Sequence, residues 1–220
     1  MDWVAVGLTL KLAALTTLIL AVVGLPLAYW LATTTRRWRP IVDAAVAVPL
    51  LLPPTVLGFY FLIATGPDTF VGRLYTQAVG GTIPFSFTGV LLASVLYNLP
   101  FAVRPFVSGF AAVDRRLIEA ARCLGASAPR TFTGVVLPLS WPAVLTGLVL
   151  AFAHTVGEFG VVLMVGGNIP GVTRTIALAI YDDVQALDYV GANEASAVLL
   201  IFAVSVLAIT YSLQRRVVPL

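Results

Sequence analysis

Asp114–Pro138 reads DRRLIEAARCLGASAPRTFTGVVLP, and it stands between two long apolar runs, Phe87–Phe110 and Leu139–Val165. Its first half is amphipathic: Leu117, Ile118, Ala121 and Leu124 recur at helical spacing and share a face, while the arginines and Glu119 turn to other sides. Asp114 is placed to cap such a helix. Gly125 is placed to end it, where a positive φ is often needed. A second short helix is expected after Pro129. The stretch is too polar and too long for a simple hairpin between spans, so it predicts a helix-turn-helix lying on a membrane surface.

Working outward, the flanking runs decide the class. The chain is 60% hydrophobic and 10% charged, with a mean hydropathy of +1.00, against about 25% charged residues in an ordinary soluble domain. Five runs approach the roughly 20 apolar residues a membrane helix needs: Val4–Leu31, Ile41–Ala64, Phe87–Phe110, Leu139–Val165 and Ala195–Leu213. The expected fold is therefore an all-α integral membrane protein with five transmembrane helices. It forms one domain over residues 1–220, with residues 114–138 as a loop within it. The first run is about 42 Å long at 1.5 Å per residue, so it should tilt, kink at Pro26 or run past the headgroups. Lys11 can snorkel from it to the interface. Met1-Asp2-Trp3 lacks the positive region of a secretory signal, so this run is expected to be retained.

Loop charges set an orientation. Arg36, Arg37 and Arg39 fill the first connection, Arg115, Arg116, Arg122 and Arg130 the third, and Arg215 and Arg216 the tail. The second and fourth carry only Arg73 and Arg174, beside acids such as Asp68, Asp182, Asp183 and Asp188. Because cytoplasmic loops concentrate Lys and Arg, the pattern predicts an outside amino terminus and an inside carboxyl terminus. Gly66–Ser86 has the composition of a loop with a short interfacial helix at the outer surface. Thr175–Val190 is too polar to span and reads as an outer cap or partial re-entry.

Several functions are set aside by composition. The net charge of +3 is spread between apolar runs as a topology signal, with no nucleic-acid footprint. Cys123 and His154 fall short of a zinc site, and a lone histidine makes a poor catalytic pair, so neither metal, cofactor nor enzymatic chemistry is expected. A P-loop needs a lysine after a glycine-rich turn. The only lysine, Lys11, lies in an apolar helix, so any ATP hydrolysis must come from another chain.

Glu119-Ala120-Ala121, then Gly125, Val135, Leu137 and Pro138, follow one another at a spacing that resembles the "EAA" loop in permeases of binding-protein-dependent ABC importers; Val135 departs from the usual isoleucine there. The resemblance implies the type I permease fold, two ATP-binding subunits docked on this loop, a second copy of the chain, and an extracytoplasmic oxyanion-binding protein that delivers substrate. Amphipathicity alone also allows a helix that lies on anionic lipid through its arginines. Val48–Gly58 and Thr155–Thr175 resemble the molybdate/tungstate permease group, with sulfate permeases as near relatives. That resemblance implies import of molybdate or tungstate by alternating access across the cytoplasmic membrane of a bacterium or archaeon. A sulfate or thiosulfate permease is the alternative. An ion-driven secondary transporter should show more intramembrane acids than Glu158 and often an inverted repeat.

Candidate pathway or gate residues are Glu158, Gly157, Arg104, Arg174, Pro53 and Pro54. An acid within an apolar run is a functional candidate, but Glu158 would repel a dianion, so a helix–helix or mouth-lining hydrogen bond suits it better than ligation. Gly157, Gly160, Gly166 and Gly167 fit either close helix approach or a gate, or a loose helix end. Arg104 either attracts anions in the path or snorkels. Arg174 draws anions at the outer mouth, meets a delivery protein, or is an ordinary surface arginine. His154 reads as a packing residue. Pro49, Pro53 and Pro54 mark either broken backbone beside a path or simply a helix start.

Overall fold

The computed structural model describes residues 1–217; side chains from residue 209 onwards, Arg215 and Arg216 of the predicted basic tail among them, lie outside the described residues. The first helix, α1 (Trp3–Thr33), is capped by Asp2, whose carboxylate accepts from the Val4 and Ala5 amides at 3.0 Å each. It runs unbroken past Pro26. A sharp turn then leads to α2 (Arg39–Leu51) and α3 (Pro54–Thr65).

These two helices correct the sequence expectation of one continuous span over Ile41–Ala64. The chain breaks at Leu52-Pro53 and the axes bend by 115°. The cause is local: Leu52 is extended at φ −84°, ψ 137°, as a residue before proline prefers, and two successive prolines lack the N–H groups that would continue the helix. Among the described residues four helices are long and apolar enough to cross a membrane, and the bent pair makes a fifth crossing if it is one span.

Short α4 (Phe70–Val79) forms within the Gly66–Ser86 connection, capped by Thr69 and ended by Gly80 at φ +80°. It is followed by α5 (Phe87–Ala111), α6 (Arg115–Cys123), α7 (Ala128–Thr131), a π turn over Phe132–Val136 and α8 (Leu137–Val156). The last three helices are α9 (Gly160–Gly166), α10 (Ile176–Gln185) and α11 (Tyr189–Val217). The predicted fourth span, Leu139–Val165, is thus displaced: the crossing helix is Ala128–Val156. The helical path absorbs Pro138 because the π turn immediately precedes it and proline's missing N–H falls in the first turn of α8. The fifth helix starts earlier than Ala195, because Asp188 accepts from the Gly191 amide at 3.0 Å and caps it.

The core is a three-helix contact of α1, α5 and α8, filled by Leu20, Ala28, Ala102, Val103, Phe106, Val144 and Ala151. Apolar side chains such as Leu18, Val22, Ile63, Leu200 and Ile201 point outward, as lipid requires of a helix whose backbone is already satisfied. Tyr29 meets Phe110 at 5.9 Å and Phe132 at 4.8 Å, so the ends of α1 and α5 and the start of the 128–156 helix share one side. At the opposite side the Thr9 hydroxyl accepts from the Ile176 amide at 2.9 Å, and Lys11 sits 4.7 Å over the Phe87 ring. The arginine-rich first and third connections therefore lie together, away from the Asn168–Asp182 connection.

Candidate functional site

The connection between α5 and α8 is built rigidly. Asp114 caps α6 by accepting from the Arg116 amide at 2.9 Å. At the other end Gly125 adopts φ +82°, the Gly125 amide donates to the Arg122 carbonyl at 2.9 Å, and the Ala126 amide to the Ala121 carbonyl at 3.0 Å. Those paired bonds are the Schellman closure, which uses a residue in the left-handed region. No residue of α6 is buried. Ile118 turns to the core beside Phe110 and Val113, whereas Leu117 is 48% exposed and Leu124 89% exposed.

Two depressions flank this helix. One, of about 320 Å³, is lined by Ala121, Leu124, Gly125, Arg130, Thr131 and Val135. The other, of about 340 Å³, includes Glu119 with Tyr29, Arg115, Ile118 and Arg122. Ala120 is exposed between them. Leu137 packs on the core and Pro138 opens α8, so these two serve the base of the loop and line neither depression.

The second assembly lies where helices break. Gly160 begins α9 against the start of α3: a Cβ there would stand 2.7 Å from Pro54 Cβ. One crossing further, a Cβ on Gly58 would stand 2.7 Å from Met164 Cβ. Only hydrogen at both positions allows α3 and α9 to touch. The breaks at Pro53-Pro54 and at Gly157-Glu158-Phe159 are thereby side by side. They open onto a cavity of about 640 Å³ lined by Pro54, Thr55, Tyr97, His154, Gly157 and Glu158, among others. Gly160→Leu is expected to separate the two half-helices and lower uptake by the assembled transporter at least tenfold while leaving α6 intact; uptake and ATPase co-purification measured on the same preparation check it.

Glu158 is 4% exposed. The Asn98 side-chain amide donates to Glu158 Oε2 at 3.0 Å and to the Ser94 carbonyl at 2.9 Å. Asn98 Oδ1 meets His154 Nδ1 at 2.8 Å, and the imidazole stacks on Phe101 at 3.9 Å between centroids. Glu158 Oε1 and the Ser94 hydroxyl are both buried. Asn98 thus ties the break after α8 to the middle of α5. His154 is hydrogen-bonded and stacked as well as lining the cavity.

The remaining candidates are paired. Arg104 donates from Nη1 to Asp43 Oδ1 at 2.8 Å and from Nη2 to the Asp43 carbonyl at 3.1 Å. Arg174 meets Asp182 at 2.9 Å, and both contact Asn168, so Arg174 braces the Asn168–Asp182 connection. Reading the sequence missed Asn98 and Asp43. The signal was the one that singled out Glu158, a polar residue inside an apolar run; with Asp43, Glu158 is not alone. Among the described residues no group of three or more His, Cys, Asp or Glu could hold a metal ion.

The family described as "Binding-protein-dependent transport system inner membrane component" matches residues 10–220. The chain belongs to this family. As an inner-membrane transport component it is 50% identical over 215 residues to the molybdenum transport system permease protein ModB of Azotobacter vinelandii, covering 97% of this chain and 95% of that one. It is 34% identical over 208 residues to the "Probable sulfate transport system permease protein cysT" of Chlorella vulgaris, covering 94% and 77%. A crystal structure of a bacterial alginate ABC transporter in complex with alginate pentasaccharide-bound periplasmic protein superimposes with a TM-score of 0.78 over 97% of this transport component and 78% of that chain, at 18% identity. At that identity the likeness establishes the fold alone, that of type I ABC importer permeases.

Proposed function

We propose that this chain is the membrane-spanning permease subunit of an ABC importer that carries molybdate, with tungstate as a congener. One observation carries the reading: a chain half identical to a molybdenum permease presents its Glu119–Pro138 spacing on an exposed helix closed at both ends. A short rigid helix joined to two membrane helices can pass on a rigid-body movement. Glu119, Ala120, Ala121 and Gly125 offer the surface for an ATP-binding subunit, while Leu137 and Pro138 anchor it to α8. Two such subunits, a second copy of the chain and an extracytoplasmic oxyanion-binding protein complete the machine. The arginine-rich connections face the cytoplasm, which puts the amino terminus outside and the carboxyl terminus inside.

The cavity at the paired breaks supports alternating access. Half-helices α3 and α9 lean on each other and adjoin Gly157, Glu158, Pro53 and Pro54, the places where the backbone can bend. Glu158 holds the break through Asn98; beside an oxyanion its charge would repel, so it braces the gate without binding cargo. Proteoliposomes holding the permease with its ATPase and binding protein should accumulate radiolabelled molybdate only with ATP. Sulfate uptake in place of molybdate would move the assignment to the sulfate class, for which the Chlorella relative speaks.

A further inference from the structure

An arginine within a membrane helix is costly unless it is paired or faces water. Arg104 is both. It sits on α5 seven residues before the helix ends at Ala111, and its partner Asp43 comes from α2, on the near side of the Leu52-Pro53 break. The pair leaves 41% of the Arg104 side chain and 36% of the Asp43 side chain exposed. Lipid is a poor neighbour for two half-exposed charges, so this face meets water or protein.

The same face of α5 leads to the cavity. Tyr97, Phe101 and Arg104 recur at i, i+4 and i+7, and so align along one side of the helix. Tyr97 lines the cavity beside Glu158. Phe101 stacks on His154 at 3.9 Å. Arg104 follows about 10 Å below Tyr97, at 1.5 Å per residue, toward the side that carries α6.

We infer that Arg104 is a transient binding residue for the oxyanion on its way to the α6 side, and that Asp43 is its built-in competitor. This rests on the oxyanion-permease reading above. A guanidinium holds two oxygens of one anion in a fork. With Asp43 it spends Nη1 on a carboxylate oxygen and Nη2 on a carbonyl, which are contacts a tetrahedral oxyanion can replace. A conducting site must bind well enough to admit its ion and weakly enough to release it. A bare arginine in a narrow path would retain a dianion. Asp43 returns to the guanidinium as the anion leaves, keeps the empty path neutral, and so limits retention.

The test uses the assembled transporter in proteoliposomes with radiolabelled molybdate. Arg104→Gln is expected to lower ATP-driven uptake at least tenfold while ATPase co-purification persists. Asp43→Asn leaves the fork unopposed, and the rinsed complex should retain about tenfold more label after ATP-driven turnover, the equivalent of one tenfold step in affinity, with slower net uptake. A charge swap, Asp43→Arg with Arg104→Asp, rebuilds the ion pair and should restore thermal stability without restoring uptake. Wild-type uptake in the swap would reduce the pair to a brace and overturn the inference, as would unchanged uptake in Arg104→Gln. If the swap does not fold, Asp43→Asn still decides: label retention no greater than wild type overturns it. Should the wild-type assembly move no oxyanion at all, the permease reading fails and this inference falls with it. Normal wild-type uptake with indifferent variants removes the inference alone.

Discussion

Gly125→Val is expected to abolish co-purification of the ATP-binding subunit and, with it, molybdate uptake. Gly125 sits at φ +82°, where a β-branched residue costs about 1–3 kcal/mol. The strain acts on a helix of nine residues, which is too short to hold itself in water and depends on its caps. Loss of the Ala126–Ala121 and Gly125–Arg122 bonds frees the end that carries Leu124. Glu119→Lys tests the same surface without touching the fold, since Glu119 is exposed, and it too should lose the ATPase. Retention of the ATPase at wild-type yield in both variants would sink the docking claim. If α6 serves anionic lipid instead, both variants keep the ATPase, and removing Arg115 and Arg116 weakens binding to anionic vesicles.

The second large effect belongs to Asn98. Its amide and carbonyl are shared between Glu158 and His154, both part of the cavity wall. Asn98→Ala leaves two polar groups without their partner, each costing about 1–3 kcal/mol where buried. For a chain of this size a loss of that order lowers the melting temperature by roughly 5–20 °C. Glu158→Gln should be far milder, because its amide oxygen still accepts from Asn98. Thermal melting of the two variants in detergent checks the ordering. An Asn98→Ala protein that melts with wild type would mean that Glu158 is not held by this bond.

Much of the molecule was readable from residue order because its signals are local. A run of apolar residues must be helical in lipid whatever lies beside it, so the existence of the membrane helices followed from composition. Asp114 and Gly125 announced the limits of α6, because capping involves only neighbouring residues. The breaks were harder. Pro53 and Pro54 were visible, but a proline pair serves equally to start a helix. The interruption at Gly157-Glu158-Phe159 has no proline and lies inside an apolar run. There, hydropathy carried the predicted span nine residues beyond Val156.

The functional constellations followed the same division. The Glu119–Pro138 spacing lies within one connection, so the sequence carried the whole motif. Asn98 and Glu158 are 60 residues apart, and Arg104 and Asp43 are 61 apart. The sequence by itself determined that the chain is a helical membrane protein with an exposed, capped helix between two spans, because those properties arise from solvent preference and near-neighbour hydrogen bonds. Only the tertiary structure decided that Arg104 is paired, that Glu158 is tied to α5, and that two helix breaks lie side by side. Those depend on which helix faces pack together, and packing brings residues together without regard to their distance along the chain.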